Sequence, residues 1–173
     1  IEVAAAREEI YSSESRKPKK VTFTDLNGDL IRRDFTVNAM AMSVASDDFG
    51  KVFDPHNGLQ DLQKKRLITP LEPNQTFSED PLRMMRAAYF ASKLNLTIDE
   101  NCFQSMVQQA SRISIVSQER ITREFCKILS TDKPSVGLNI LQKSGIMKII
   151  FPEIDVMYGM DQSSEWHHKD IYY

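Results

Sequence analysis

Ser78-Glu79-Asp80-Pro81-Leu82-Arg83-Met84-Met85-Arg86 is the stretch on which the reading of this chain turns. Ser78 can cap a helix whose first turn holds Glu79 and Asp80, favourable at the positive end of the helix dipole, and Pro81 is tolerated there. At about 100° per residue, Glu79, Arg83 and Arg86 share one narrow face, with Asp80 beside Arg83. Leu82, Met85 and Tyr89 point to another face, expected to be the core. A solvated stripe of i,i+3 and i,i+4 ion pairs, worth about 0.2–0.5 kcal/mol each, accounts for this pattern. The same residues also suit a second task. A carboxylate only accepts hydrogen bonds and a guanidinium only donates them. Cytosine and adenine each present an amino donor beside a ring-nitrogen acceptor, whereas guanine and uracil present a carbonyl beside an N–H. Asp80 with Arg83 therefore complements C and A and mismatches G and U. Mismatch of that kind in a buried site can be worth on the order of 10⁴-fold.

Beyond Asp61 the chain reads as helical. Asp99 to about Arg112 has helical apolar spacing, Ser117 can cap Gln118 to Leu129, and Pro134 opens a helix that Gly145 ends in the left-handed conformation. Ile146 to Phe151 is apolar and stops at Pro152. Before Asp61 the pattern is more extended. Ile1 to Ala6 reads as a buried strand and Val21-Thr22-Phe23-Thr24 as a short β run, with an exposed loop from Tyr11 to Lys20 between them. Asp25 to Asp29 is turn-rich. An amphipathic helix is expected from Asp34, with Phe35, Asn38, Ala39 and Met42 at helical spacing. Phe49 to Phe53 reads as a hairpin element leading into the turn Asp54-Pro55-His56-Asn57-Gly58. The expected architecture is an α+β fragment: a small α/β piece over 1–62, a helical piece over 63–130, and the start of a further helical body over 131–173. No internal repeat is evident.

Of 173 residues, 41% are hydrophobic and 27% charged, ordinary for a globular protein. No run approaches the roughly 20 apolar residues of a membrane-spanning helix, and no signal-peptide pattern opens the chain, so the expectation is a cytoplasmic protein. Both Cys102 and Cys126 are expected to be buried free thiols. The formal net charge of −2 means that any nucleic-acid contact must come from local basic patches. Lys17-Pro18-Lys19-Lys20 is one candidate, with a solvated loop as its alternative. The apolar start at Ile1 and the dense end at Trp166 to Tyr173 suggest an internal fragment.

Arg32-Arg33-Asp34-Phe35-Thr36-Val37-Asn38-Ala39 is the second chemical segment. Arg33 suits phosphate oxygens. Asp34 and Asn38, at i and i+4, could reach one pair of ribose hydroxyls; a locally satisfied helix start is the alternative. His56 is expected to be exposed in its turn. His167, His168 and Asp170 have ligand chemistry but do not by themselves make a metal site.

Taken in order, the Arg32 to Ala39 string, the turn Asp54 to Leu62 and the Glu79 to Arg86 helix resemble three successive motifs of bacterial class II tRNA nucleotidyltransferases (CCA-adding enzymes) and the related bacterial poly(A) polymerases. Ser117 to Phe125 resembles the helical motif that follows, and His168 to Tyr172 looks like the start of an HD-type domain. The resemblance implies the end of a polymerase-β-like head, a helical neck and the start of a body. It implies that Asp34 and Asn38 contact the ribose, with Arg33 near the triphosphate. Asp80 and Arg83 would read the base, Glu79 would hold Arg83, and Arg86 would help bind the nucleotide. Asp54, Gly58 and Asp61 would belong to a hinge between head and neck. Where the family usually has a further arginine, this chain has Tyr89. The implied substrates are CTP and ATP and the 3′ end of tRNA. The implied cofactor is Mg²⁺, held mainly by an Asp-x-Asp pair that this sequence lacks, with Glu2 a candidate third carboxylate. The fragment alone is expected to be inactive. Poly(A) addition and a non-catalytic helical RNA-binding module are the alternatives.

Overall fold

The structure, a computed structural model, describes residues 5–12 and 15–160, with side chains described for 5–6 and from Phe23 onward. Glu2, most of the expected first strand, and His167, His168 and Asp170 lie outside the described residues.

The expected loop over Tyr11 to Lys20 is instead part of a hairpin. β1 (Arg7–Ser12) pairs antiparallel with β2 (Ser15–Phe23), and the register shifts between Ile10 and Ser12. Pro18 falls opposite that irregularity, where a residue without an N–H removes least from the ladder. The turn-rich stretch after it becomes a helix, α1 (Leu26–Ile31), because Asp25 sits at its N-cap and accepts from the Gly28 N–H at 2.8 Å.

The amphipathic helix expected from Asp34 is not formed. Phe35 is extended and buried, a single 3-10 turn covers Thr36–Asn38, and the chain then enters β3 (Ala41–Met42), antiparallel to β4 (Val52–Phe53). Phe35 and Ala39 are fully buried, but Met42 is 59% exposed, so the apolar spacing reflected a turn and a strand, not one helical face. α2 (Gly58–Gln63) follows and packs on the 36–38 turn.

The remainder is helical, as expected. α3 (Pro73–Glu79), α4 (Leu82–Leu94), α5 (Glu100–Gln109), α6 (Gln118–Leu129), α7 (Pro134–Lys143), α8 (Ile146–Ile150) and α9 (Pro152–Asp155) succeed one another. A short parallel bridge, β5 (Arg66–Leu67) with β6 (Thr97–Ile98), ties the entry of this unit to the exit of α4. α6 begins and ends where the sequence placed it, with Ser117 at the N-cap position but without a side-chain capping bond. Gly145 takes a positive φ of 77° after α7. α4 packs against both α6 and α7 and contributes Met84, Met85, Ala87 and Ala88 to one apolar cluster running from Phe35 to Ile150. Cys102 is buried, but Cys126 is exposed, because its position on α6 turns away from this cluster. Among the described residues no helix is long and apolar enough to cross a membrane.

Candidate nucleotide-binding site

The single helix expected from Ser78 is two helices. The residue before a proline is driven out of the α region, and Asp80, before Pro81, is extended at φ −140° and ψ 100°. α3 therefore stops at Glu79 and α4 starts at Leu82. Ser78 does not cap; its hydroxyl donates to the Gln75 carbonyl within α3. Asp80 serves the new helix start instead, its Oδ1 accepting from the Leu82 N–H at 3.2 Å.

The break redistributes the ion pairs. Asp80 does not bond Arg83; its Oδ2 accepts from Arg120 of α6 at 2.9 Å. Arg83 donates to Glu79 at 3.2 Å, to the Thr76 carbonyl at 3.1 Å and to the Arg32 carbonyl at 2.8 Å. Arg83 thus clamps the end of α3 and the end of α1 together. Its side chain is only 11% exposed, so these bonds operate away from bulk water. The Glu79–Arg83 pairing expected from the sequence is present.

The second segment meets the first through Arg86. Asp34 Oδ2 accepts from Arg86 Nε at 2.6 Å, and Asp34 Oδ1 accepts from the Phe35 N–H at 2.9 Å and from Asn38 Nδ2 at 3.1 Å. The guanidinium of Arg86 also lies 5.3 Å from the Phe90 ring centroid. Arg33 is paired with Asp29, at 2.6 Å from Nη2, yet remains half exposed. Arg32 bonds the other Asp29 oxygen at 2.6 Å.

Burial pushes the Asp29 carboxyl up, but hydrogen bonds and charges from Arg33 and Arg32 outweigh it and hold the group below its ordinary 3.8. A depressed carboxyl contributes stability that is complete above its unfolded value and is lost as pH falls through the folded value. Melting curves followed from neutral pH into acid should therefore show Asp29→Asn less stable than the parent at neutral pH. The gap should begin to narrow below about pH 4, where the unfolded carboxyl protonates, and close as pH falls through the lower folded value. A constant gap at every pH would rule out the ionised triad as its source.

These residues line one cleft of about 670 Å³ between the 32–38 segment, the start of α4 and the exposed side of α6. Arg33, Asp34, Asn38, Asp80, Arg83 and Arg86 all line it. Glu79 supports Arg83 from behind. Asp54, Gly58 and Asp61 do not line the cleft; they start α2 and hold it against the 36–38 turn. Asp54 accepts from the Gly58 and Leu59 N–H groups at 2.7 and 2.9 Å, starting α2. Asp61 accepts from Thr36 Oγ1 at 2.8 Å and from Arg66 at 3.0 Å. A Cβ on Gly58 would stand 2.2 Å from the Thr36 carbonyl oxygen, so only glycine lets α2 approach the 36–38 turn this closely. His56, expected to be exposed, is half-buried, and its enclosed Nε2 finds no hydrogen-bond partner among the described residues.

The α6 wall lies beyond the site residues expected from the sequence. Arg120, Arg123, Glu124 and Lys127 line the cleft at i, i+3, i+4 and i+7, a spacing that was visible in the Ser117–Phe125 motif and its continuation. Glu124 is buried and accepts from Lys127 at 2.7 Å. Tyr89 is turned away from this cleft toward Lys93.

Among the described residues no three His, Cys, Asp or Glu side chains converge as a metal-binding group. The described residues therefore do not fit a Mg²⁺ centre.

Two family models match the chain: "Poly A polymerase head domain" over residues 1–68 and "Probable RNA and SrmB-binding site of polymerase A" over residues 95–158. The multifunctional CCA protein of Vibrio campbellii is 40% identical over 147 residues, 82% of this chain and 34% of that protein. The chain belongs to the family of CCA-adding enzymes and bacterial poly(A) polymerases. It spans about a third of the length of the curated relatives it matches. The CCA-adding enzyme of Bacillus stearothermophilus, solved in complex with CTP, superposes with a TM-score of 0.71 at 33% identity, over 82% of this chain and 33% of that one. A tRNA nucleotidyltransferase solved with a primer tRNA and an incoming ATP analog gives 0.71 at 29% identity, over 80% of this chain and 42% of that one. Within this family of CCA-adding enzymes and poly(A) polymerases, the chain has the α+β head end followed by helices that the resemblance implied.

Proposed function

We propose that the protein is a template-independent RNA nucleotidyltransferase that adds C and A to the 3′ end of tRNA from CTP and ATP. The observation that carries this reading is the convergence of Asp80, Arg83 and Arg86 with Arg33, Asp34 and Asn38 on one cleft, although 40 residues or more separate the two sets. CTP and a primer tRNA are bound by structural neighbours with the same fold.

In this reading the helical wall selects the base. Asp80 accepts from the exocyclic amino group, and Arg83, held by Glu79 and two backbone carbonyls, donates to the adjacent ring nitrogen. Three anchors on one guanidinium limit its motion, so a uracil or guanine edge would leave a buried donor or acceptor unpaired. The head wall holds the sugar and phosphates: Asn38 and Asp34 toward the ribose hydroxyls, Arg33 toward phosphate, with Arg86 fixing the Asp34 carboxylate. Mg²⁺, which supplies activation of the RNA hydroxyl and charge neutralisation when bound, is assigned to residues outside those described here. The segment Asp54 to Asp61 would be the joint through which head and neck move. A boundary near residue 62 between head and neck, and one near 130 between neck and body, belong to the same proposal, as does a cytoplasmic location.

Poly(A) addition is the rival, since it uses the same motifs. Incubating the intact protein with a tRNA lacking its terminal CCA and with CTP and ATP, separately and together, decides between them. The expected result is incorporation of C from CTP alone and completion to CCA with both. Long A tails from ATP with no C incorporated would overturn CCA addition. RNA binding without incorporation of any nucleotide would point instead to a non-catalytic RNA-binding module.

A further inference from the structure

Asn27-Gly28 and Asn57-Gly58 are the two Asn-Gly dipeptides of the sequence, and both fall at the start of a helix. An asparagine followed by glycine is prone to lose its side-chain amide. The glycine nitrogen, once deprotonated, attacks the asparagine Cγ, the Cγ–Nδ2 bond breaks and ammonia leaves. Water then opens the cyclic imide at either carbonyl, giving aspartate or isoaspartate, and no other co-reactant is needed. Glycine favours the closure because no side chain obstructs the approach and its backbone turns freely. Both asparagines are exposed, and Asn57, at φ 60°, makes no capping bond with its side chain.

In both places an aspartate holds the attacking nitrogen. The Gly28 N–H donates to Asp25 Oδ1 at 2.8 Å, and the Gly58 N–H donates to Asp54 Oδ1 at 2.7 Å. A carboxylate on that hydrogen opposes deprotonation, because the charge that would form on nitrogen faces one already present. It also ties the nitrogen down, since the nitrogen must leave the aspartate before it can swing onto the asparagine Cγ. At the second site the restraint is stronger. The Leu59 N–H donates to Asp54 Oδ2 at 2.9 Å, and the Asn57 carbonyl accepts from the Asp61 N–H at 3.1 Å. Ring closure therefore waits for the capping carboxylate to let go.

The two sites differ in what the product does. Isoaspartate runs the main chain through Cβ and Cγ and so lengthens the backbone. Gly58 is buried, and a Cβ there would stand 2.2 Å from the Thr36 carbonyl oxygen, which leaves a longer chain no room. α2 must withdraw, taking Asp61 from Thr36 and releasing the turn that ends in Asn38. At Gly28 the nearest atoms belong to the Thr24 side chain, which can rotate away.

We propose that both Asn-Gly pairs are latent sites of spontaneous deamidation, each guarded by its capping aspartate, and that isoaspartate at position 57 disables the nucleotide cleft. The chemistry stands by itself; the loss of CTP binding rests on the proposed nucleotide site.

Ageing the intact protein in warm, mildly alkaline buffer tests this, with peptide mass mapping and labelling by an isoaspartate-specific methyltransferase. Both sites should convert about tenfold more slowly in the folded parent than in urea. Asp54→Ala should speed conversion at Asn57 about tenfold and leave Asn27 unchanged, and Asp25→Ala should do the reverse. Each site is thus the folding control for the other. Equal acceleration of both sites by either variant would mean general unfolding and overturn the guards, as would parent rates equal to those in urea. The CTP affinity of the aged parent should fall in step with isoaspartate at position 57. Asn57→Gly, which suits the positive φ, should keep its affinity through the same incubation. Equal loss in Asn57→Gly would overturn the effect on the cleft. If the fresh parent binds no CTP, the proposed function fails, and the conversion rates still decide the guards.

Discussion

Replacing Arg83 by alanine in the intact protein is expected to collapse the proposed preference for CTP and ATP over UTP and GTP. Arg83 donates to the Thr76 and Arg32 carbonyls and to Glu79. Losing it removes both the proposed donor to the base and the frame that fixes the donor. A site that rejects a wrong base through unpaired buried groups can lose discrimination on the order of 10²- to 10⁴-fold when one of those groups is deleted. The same substitution strips a donor from two backbone carbonyls and a carboxylate, at a cost of roughly 1–3 kcal/mol to stability. These two effects separate by measurement. A purely structural clamp would lower kcat/KM for all four nucleotides by the same factor and lower the melting temperature, leaving the ratios intact. A base reader changes the ratios. Retained C and A preference in Arg83→Ala, whatever the loss of rate, would remove Arg83 from base selection. Asp80→Asn makes the complementary test, because an amide can donate where the carboxylate only accepts. It is expected to admit UTP while keeping the Leu82 N–H bonded.

The helical half of this fold was legible in the sequence because its signals are local. Ser117, Pro134 and Gly145 mark helix ends by backbone chemistry, and α6 and α7 run between them. The misfit at Asp34 to Met42 comes from tertiary context. Asp34 to Met42 carries apolar residues at helical spacing, yet the Thr36 N–H donates to the Ile68 carbonyl at 2.8 Å and Thr36 Oγ1 to Asp61. Partners 25 or more residues away claimed the backbone that a helix needed. Asp25 caps a helix although its stretch has turn composition, since cap and turn use the same side-chain bond. In the site, Glu79 with Arg83 followed from i,i+4 spacing and survived the break at Pro81, because the pair needs proximity more than a continuous helix. The pairs Asp34 with Arg86 and Asp80 with Arg120 join residues 52 and 40 positions apart. No periodicity reports such pairs, so the α6 stripe, visible as a spacing, carries no signal that it faces this cleft.

Phe35→Ala is expected to be the most damaging core substitution, and its effect should reach the cleft. Phe35 is fully buried, meets Phe90 edge-on at 5.9 Å between ring centroids, and belongs to the apolar cluster that α4, α6 and α7 build. It sits between Asp34 and Thr36, so it is the anchor by which the 32–38 segment is held against α4. Truncating a buried phenylalanine costs about 3–5 kcal/mol, against a total stability of roughly 5–15 kcal/mol for a domain. For a chain of this size that corresponds to a fall in melting temperature of roughly 6–20 °C. Phe35→Leu, which keeps most of the apolar volume, should lose less than half as much. Val44→Ala, at a side chain 80% exposed, should change nothing measurable. Because Arg86 holds Asp34 from the same helix that packs Phe35, CTP binding by Phe35→Ala should weaken even well below its melting temperature. Phe35→Leu should bind CTP nearly as the parent does. Calorimetric melting with CTP titration on the three variants checks both halves. A Phe35→Ala protein that melts with the parent would mean the 32–38 segment is held chiefly by its polar contacts to Asp61, Arg83 and Arg86.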